Sequence, residues 1–295
     1  MIWLIGCHGM LGSEVARQLK EKKIDFTGSG REVDFTDWSV IENFVSDKKI
    51  DCIINCAAYT AVDKAESEKE EAENLNVKGP ENIAILAKKI GAVLIHISTD
   101  YVFDGKASTP LTEDMSLAPL GVYGKTKADG EDAVRRNTEK HYILRTSWLY
   151  GWEGKNFVYT MIKAMNSHNS VKVVNDQKGS PTFAGNLAKI ILEIAENPSI
   201  PYGTYHCTDL GEITWWDFTN EIKSQAIKAG LLTNKNCIVN PCTTEEYPTP
   251  AKRPAYSVLN KDKIQKALGI TLPDWKEGLK TFINSPFFDR ERIKI

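Results

Sequence analysis

The stretch Ile2-Trp3-Leu4-Ile5-Gly6-Cys7-His8-Gly9-Met10-Leu11-Gly12, followed by a helical run from Glu14 to Lys20, decides the fold class. Four apolar residues in a row read as a strand buried on both faces. The glycines behind it recur every third residue. Between a first strand and a first helix, glycines permit a tight turn, let the backbone approach a pyrophosphate, and let helix and strand pack closely. The helix N-terminus then offers unpaired N–H groups to the phosphates. In a chain with 20 glycines the spacing alone says little, but in the first strand–helix turn it marks Gly6, Gly9 and Gly12, with His8, Met10 and Leu11 between them, as a dinucleotide loop. At His8 the backbone geometry, not the imidazole, is expected to matter.

Outward from this loop, strand and helix patterns alternate. Ile24 to Thr27 reads as a second strand, Trp38 to Val45 as a helix, and Cys52 to Cys56 as a third strand. A long helical region follows from Ala65 to Lys89, with a break expected near Gly79-Pro80. Ala92 to Ser98 is a fourth strand, Ala128 to Arg136 helical, and Tyr142 to Arg145 a fifth strand. Such alternation predicts an α/β fold, a Rossmann-type doubly wound parallel sheet covered on both faces. Residues 1–150 are expected to form the dinucleotide-binding domain. The strand Val171–Val174 and the helix Leu187–Ala195, within about 170–196, complete it. Prolines and short elements dominate residues 197–295, which read mainly as a smaller C-terminal substrate-binding lobe over the edge where open α/β sheets bind ligands.

Tyr123 and Lys127 stand one helical turn apart, so phenol and ammonium share a helix face. A free phenol titrates near ~10. The neighbouring ammonium is expected to draw it down, fitting Tyr123 for proton transfer to or from an alcohol oxygen. A hydroxyl from Ser98-Thr99, at the end of the fourth strand, can share that proton. Tyr159 and Lys163 have the same spacing, but their apolar stretch Phe157–Ile162 reads as helix packing. At the end of the second strand, Gly28-Ser29-Gly30-Arg31 shows no carboxylate at the tip and places Arg31 close by. This leans towards NADPH, with NADH the alternative. Trp148, at the end of the fifth strand, can stack on a sugar, and Arg253 can reach a diphosphate as a bidentate donor.

The 295 residues are 42% apolar and 26% charged with a formal charge of −2, and the pI is near 6.3. This balance gives no basic field for nucleic acid, and no apolar run is long enough for a bilayer. The N-terminus reads as a strand, not a signal peptide. None of the six cysteines forms a C-x-x-C pair, and reduced thiols in the cytoplasm are expected.

These motifs resemble the dTDP-4-dehydrorhamnose reductase family of the extended short-chain dehydrogenases/reductases. The resemblance rests on the glycine loop, Val33–Asp37, Asn55–Glu66, Ser98–Gly105, Tyr123–Lys127, Arg145–Tyr150, Asn175-Asp176-Gln177 with Gly179–Thr182, and Thr249–Pro254. It implies Thr99, Tyr123 and Lys127 as the catalytic set, Tyr123 and Lys127 also touching cofactor. Asp34 and Phe35 would flank the adenine, and Ala58, Tyr59 and Thr60 would follow the cofactor. Thr99, Asp100 and Trp148 would contact the sugar. The implied reaction is reduction, by NADPH or NADH, of the C4 ketone of a dTDP-linked 4-keto-6-deoxy sugar, dTDP-4-dehydro-β-L-rhamnose, to dTDP-L-rhamnose. Some relatives bind magnesium at a dimer contact through clustered glutamates. Glu14 is placed for this, but no other ligand is identifiable, so no metal is assigned and monomer and homodimer both stay open. The rival readings are a sugar-nucleotide epimerase that retains its NAD and a non-enzymatic regulatory subunit on the same fold.

Overall fold

The structure, a computed structural model, describes residues 1–294. Its first half alternates β1 (Ile2–Ile5), α1 (Met10–Glu21), β2 (Phe26–Ser29), α2 (Trp38–Val45) and β3 (Cys52–Asn55). Then come α3 (Val62–Ala65), α4 (Lys69–Glu73), α5 (Gly79–Ile90), β4 (Val93–Thr99), α6 (Val122–Asn137) and β5 (His141–Thr146). The second half holds β6 (Leu149–Tyr150), α7 (Phe157–Ser167), β7 (Ser170–Val174), β8 (Lys178–Gly179), β9 (Thr182–Phe183) and α8 (Ala184–Glu196). It continues with β10 (Gly203–His206), β11 (Ile213–Thr214), α9 (Trp215–Lys228), β12 (Ile238–Cys242), α10 (Asp262–Leu268) and α11 (Trp275–Ile283).

Six strands form one parallel sheet in the order β10-β5-β4-β3-β1-β2. The Rossmann-type expectation holds. The order reverses between β1 and β3, so the loops leaving these strands diverge and open a crevice at their carboxyl ends. Every residue of β1 and of β3 is buried, as an apolar run covered on two faces requires. On one face Leu11, Val15 and Leu19 of α1 pack with Leu187, Ile191 and Ile194 of α8. On the other, Ile41 and Val45 of α2 pack with Ile83, Ala84 and Ala87 of α5. A separate, aromatic-rich core gathers Tyr150, Phe183, Phe218, Trp275 and Phe282 from the second half.

Two expectations are corrected. Ser170–Val174 is a strand, but it pairs with β12 away from the main sheet; the sixth strand is Gly203–His206, which pairs with β5. Residues beyond 197 therefore supply a sheet edge as well as the second core, while α8 covers the sheet as expected. The long helix does not break at Gly79-Pro80 either. Asn74–Lys78 forms a π-turn between α4 and α5, and Pro80 sits in the first turn of α5, where a missing N–H costs nothing.

The π-turn presses on the middle of α6. A Cβ at Gly130 would lie 2.0 Å from the Asn76 carbonyl oxygen, so backbone meets backbone there. Gly130→Ala should force the two helices apart and cost about 1–3 kcal/mol, the usual penalty of overpacking, measured by urea denaturation. Unchanged stability would show that α5 and α6 separate freely.

Candidate active site

Thr99 is the last residue of β4, and Tyr123 and Lys127 lie on the first turns of α6, which packs across that strand end. The Thr99 hydroxyl donates to Asp100 Oδ1 at 3.0 Å and accepts from Tyr101 N at 3.2 Å, capping a short 3-10 turn. The Tyr123 phenol is pushed up to about 12 by burial, with the neighbouring Thr99 hydroxyl opposing this and the charge of Asp100 adding to it. Lys127 is 2% exposed. Its ammonium donates to the Ile97 carbonyl at 2.7 Å, and burial pulls it down to about 8 against the opposing charge of Glu131. The expected depression of Tyr123 by Lys127 is thus corrected. Burial dominates, Lys127 is not among the groups that shift the phenol, and the phenol stays protonated at neutral pH.

The glycine loop fits a pyrophosphate. Gly6 has φ +77, and a Cβ on it would lie 2.9 Å from Ala57 N; one on Gly12 would lie 2.0 Å from the Gly6 carbonyl oxygen. The floor between the exits of β1 and β3 is therefore bare backbone. Gly9 is the N-cap of α1 and makes no side-chain cap hydrogen bond. Leu11 is core and Met10 half-buried, while His8 is exposed. Ala58 and Tyr59 follow β3, with Thr60 exposed beyond them. Asp34 is exposed and tied to Thr36, but the Phe35 ring is buried against Gly79. Its role is packing, and only the Phe35 backbone is left to flank an adenine.

Asp100 is 1% exposed. Its Oδ2 has no partner, and burial pushes it up to about 6 against hydrogen bonds from Ser257 and Thr99. Arg253 crosses from the proline-rich segment. Its Nη2 donates to Asp63 Oδ2 at 2.8 Å, and its guanidinium lies 6.0 Å from the Tyr101 ring, itself 5.5 Å from the Tyr123 ring. Arg253 Nη1 is buried and unpartnered. Both are buried polar atoms without a partner, Asp100 an oxygen and Arg253 a nitrogen. Trp148 adopts φ +47, strained for a bulky residue. Its indole stacks on Trp215 at 3.6 Å and 11°, so one of its faces is already covered. The other Tyr/Lys pair lies elsewhere: the Tyr159 hydroxyl accepts from Asp289 N at 3.0 Å and belongs to the aromatic core.

The family model described as RmlD substrate binding domain matches residues 1–286. A dTDP-4-dehydrorhamnose reductase of Aggregatibacter actinomycetemcomitans is 39% identical over 94% of this chain and 96% of its own. The chain belongs to the dTDP-4-dehydrorhamnose reductase family. Among solved structures of that family, the Clostridium acetobutylicum protein superposes with TM-score 0.90 at 43% identity, covering 96% of this chain and 98% of its own. The Bacillus anthracis protein, solved in complex with NADP, gives 0.89 at 36%, covering 95% and 97%.

Glu14, the residue that the resemblance placed for a magnesium ion, is engaged within its own helix. Arg17 donates to both Glu14 oxygens, and Gln18 Nε2 donates to Oε1 at 2.8 Å. Among the described residues no cluster of three or more His, Cys, Asp or Glu side chains could hold an ion. Sequence reasoning missed two residues. Glu32 folds back to accept from Gly30 N–H, placing a carboxylate at the tip of β2 beside exposed Arg31; a Cβ at Gly30 would meet both His8 and Glu32. No periodic pattern marks it, because the contact spans only two residues of an irregular turn. Asn76, fully buried, bonds Tyr59 N (2.9 Å), Tyr59 O (3.2 Å) and Thr126 Oγ1 (3.1 Å), tying the loop after β3 to α6. Its only sequence signal was a polar residue on the inward face of a helix.

Asp100 also makes stability depend on pH. Its folded pKa of about 6 lies above the ordinary 3.8, so between these values the folded state binds more protons than the unfolded one. Stability is therefore highest below the lower value and falls as pH rises through the upper. Asp100→Asn should remove this slope and, at pH 8, stabilise the protein by about 1–3 kcal/mol. Denaturation at pH 4.5 and pH 8 tests it; a variant less stable than the parent at pH 8 would contradict a desolvated carboxylate.

Proposed function

We propose that this protein reduces the C4 ketone of dTDP-4-dehydro-β-L-rhamnose to dTDP-L-rhamnose in the cytoplasm. The carrying observation is that Tyr123 and Lys127 share one face of α6 where it crosses the Thr99 end of β4, at the carboxyl edge of the sheet beside the bare glycine loop. A bound NADPH or NADH supplies the hydride that becomes the new C–H bond at C4. The Tyr123 O–H, protonated at neutral pH, gives its proton to O4 as the carbonyl becomes an alkoxide, and the phenol is reprotonated from solvent. The Thr99 hydroxyl orients O4. The Lys127 ammonium stabilises the phenolate left behind and has N–H directions beyond its bond to Ile97 for a ribose.

Asp100 and Arg253 supply the unpartnered oxygen and nitrogen that sugar hydroxyls and a diphosphate would satisfy. Trp148, one face on Trp215, offers its remaining surface to the sugar. Gly6 to Gly12 would take the pyrophosphate, and Ala58 to Thr60 would run along the cofactor. Retention of Thr99, Tyr123 and Lys127 together speaks against a non-enzymatic subunit. Net release of oxidised dinucleotide would separate a reductase from an epimerase. Supporting the compartment, all six cysteines are unpaired, and no helix among the described residues could cross a membrane.

Loss of absorbance of the reduced dinucleotide, followed with the dTDP-4-keto sugar, is the direct assay. Tyr123→Phe should lower kcat about 10²–10⁴-fold with dinucleotide affinity unchanged, while Tyr159→Phe keeps turnover. The reverse outcome would reject the assignment.

Arg31 and Glu32 set cofactor preference. A carboxylate at the β2 tip accepts from ribose hydroxyls and repels a 2′-phosphate, whereas a guanidinium attracts it. Arg31→Ala should raise KM for NADPH alone, and Glu32→Ala should lower KM for NADPH while raising that for NADH. Equal effects on the two cofactors would place both side chains outside the site.

A further inference from the structure

A second charged cluster lies buried along the same face of the catalytic helix. Glu131 follows Lys127 by one turn, as Lys127 follows Tyr123, so the three side chains form one stripe on α6. Glu131 is 0% exposed and Arg145, on β5, 1%. They pair side-on, with Nε donating to Oε1 at 2.9 Å and Nη2 to Oε2 at 2.7 Å. In the sheet Arg145 is the register partner of Ser98, the neighbour of Thr99. The Phe103 ring lies 5.1 Å from its guanidinium. Its Nη1 faces His206 Nε2 at 3.4 Å and the Glu113 carbonyl at 3.5 Å. Arg135 holds Glu131 Oε2 from the outer side at 2.6 Å.

Burying an ion pair costs several kcal/mol of desolvation, and apolar residues of like volume often serve stability as well or better. Stability alone is therefore a poor account of a pair so completely enclosed. The placement gives a better one. We propose that Glu131, clamped by Arg145, is a positioning residue for the reduction described above, keeping the Lys127 ammonium charged one turn from Tyr123. Lys127 Nζ is bonded to the Ile97 carbonyl, so Glu131 acts on it across one helical turn, through space. Arg145 in turn keeps the carboxylate ionised: burial pushes Glu131 up, but the hydrogen bonds and charge of Arg145, aided by the charge of Arg135, hold it below the ordinary carboxylate range.

Arg145 and Arg135 both pair with Glu131 and offset part of its field, while the other neighbours carry little charge. On β4, His96 is driven well down by burial and stays neutral. On β10, His206 is driven down to about 3, also by burial, and is neutral too. On α6, Tyr123 is protonated, and Asp100, just past β4, bears on the phenol. Burial lowers Lys127 to about 8, and Glu131 is what opposes it. Without that carboxylate the ammonium would lose its proton near neutral pH.

The test follows Lys127 in the free protein by NMR of ¹³C-labelled lysine, its signal assigned with Lys127→Met. The comparison is between the parent, Glu131→Gln, and the double variant Glu131→Met/Arg145→Met. The double variant removes both charges while keeping the packing, so it remains folded where the single one does not. The Lys127 midpoint should fall by about one unit in Glu131→Gln and by less in the double variant, which also removes the opposing charge of Arg145, and Glu131→Asp, which keeps the charge, should hold it near the parent's. The alkaline limb of kcat/KM should move to lower pH with it. A Lys127 midpoint that stays put in a folded variant overturns the proposal and leaves the pair a packing device. The NMR titration needs no substrate, so its failure is distinct from a failure to turn over the dTDP-4-keto sugar.

Discussion

The close passage of α6 across the end of β4 sets the rest of the site. Two contacts make it possible. Gly130 lets the helix touch the Asn76 carbonyl backbone to backbone, and Gly124 does the same against the Tyr101 carbonyl, where a Cβ would stand 2.2 Å away. With α6 drawn in at both points, Tyr123 stands beside the end of β4 and the Lys127 ammonium reaches the Ile97 carbonyl. A side chain at either glycine would push the helix away from that strand end. The π-turn serves the same end. By widening the helix at Asn74–Lys78 it turns the Asn76 amide inward, where it satisfies both backbone groups of Tyr59 and holds Thr126. Turns of this kind recur at functional sites because they redirect one side chain without ending the helix.

The two halves of the molecule meet over this helix and strand end. Pro254 lies against Gly105, which has φ +70 and no room for a Cβ, and Tyr256 N donates to the Gly105 carbonyl at 3.1 Å. Ala251 N and Arg253 both reach Asp63, just beyond the loop that leaves β3. The proline-rich segment is thus anchored on elements that frame the cofactor side, and its arginine keeps one buried nitrogen free. A segment with little regular structure gains its order from these contacts. That is why it can carry a ligand-facing group without a helix or strand of its own.

Much of this was legible in the sequence because it is written in local patterns. β1, β3, β4 and β5 are apolar runs, and the glycine loop sits where only a strand–helix turn could use it. The Tyr123–Lys127 spacing needed only the helix repeat and its position after Ser98-Thr99. What could not be read depends on partners distant in the chain. Val171–Val174 has strand composition, but composition does not say that Ile238–Cys242 is its partner. Gly203-Thr204-Tyr205-His206 is a sheet edge with polar residues and a leading glycine, so it lacks the signature of a buried strand. Desolvation is equally invisible. Tyr123 and Lys127 were expected to adjust each other, whereas burial governs both: it raises the phenol and lowers the ammonium. Glu131 stood in plain view at helical spacing, yet its meaning required Arg145 from another strand.

The direction of these shifts suits reduction. A ketone that accepts hydride at carbon needs a proton at oxygen at the same moment, and a phenol with a raised pKa is fully loaded with that proton at neutral pH. Its weakness as an acid is offset only when the alkoxide forms, since an alkoxide is a far stronger base than a phenolate. The ammonium is needed afterwards, to hold the phenolate until solvent returns the proton. A lysine poised near 8 serves that step only if something keeps it charged in a dry pocket, and a fixed carboxylate one turn away does so without touching the reacting atoms. The desolvation that makes Tyr123 a reliable donor is the same desolvation that threatens the charge of Lys127. The buried Glu131–Arg145 pair lets one pocket hold a neutral phenol and a charged ammonium side by side.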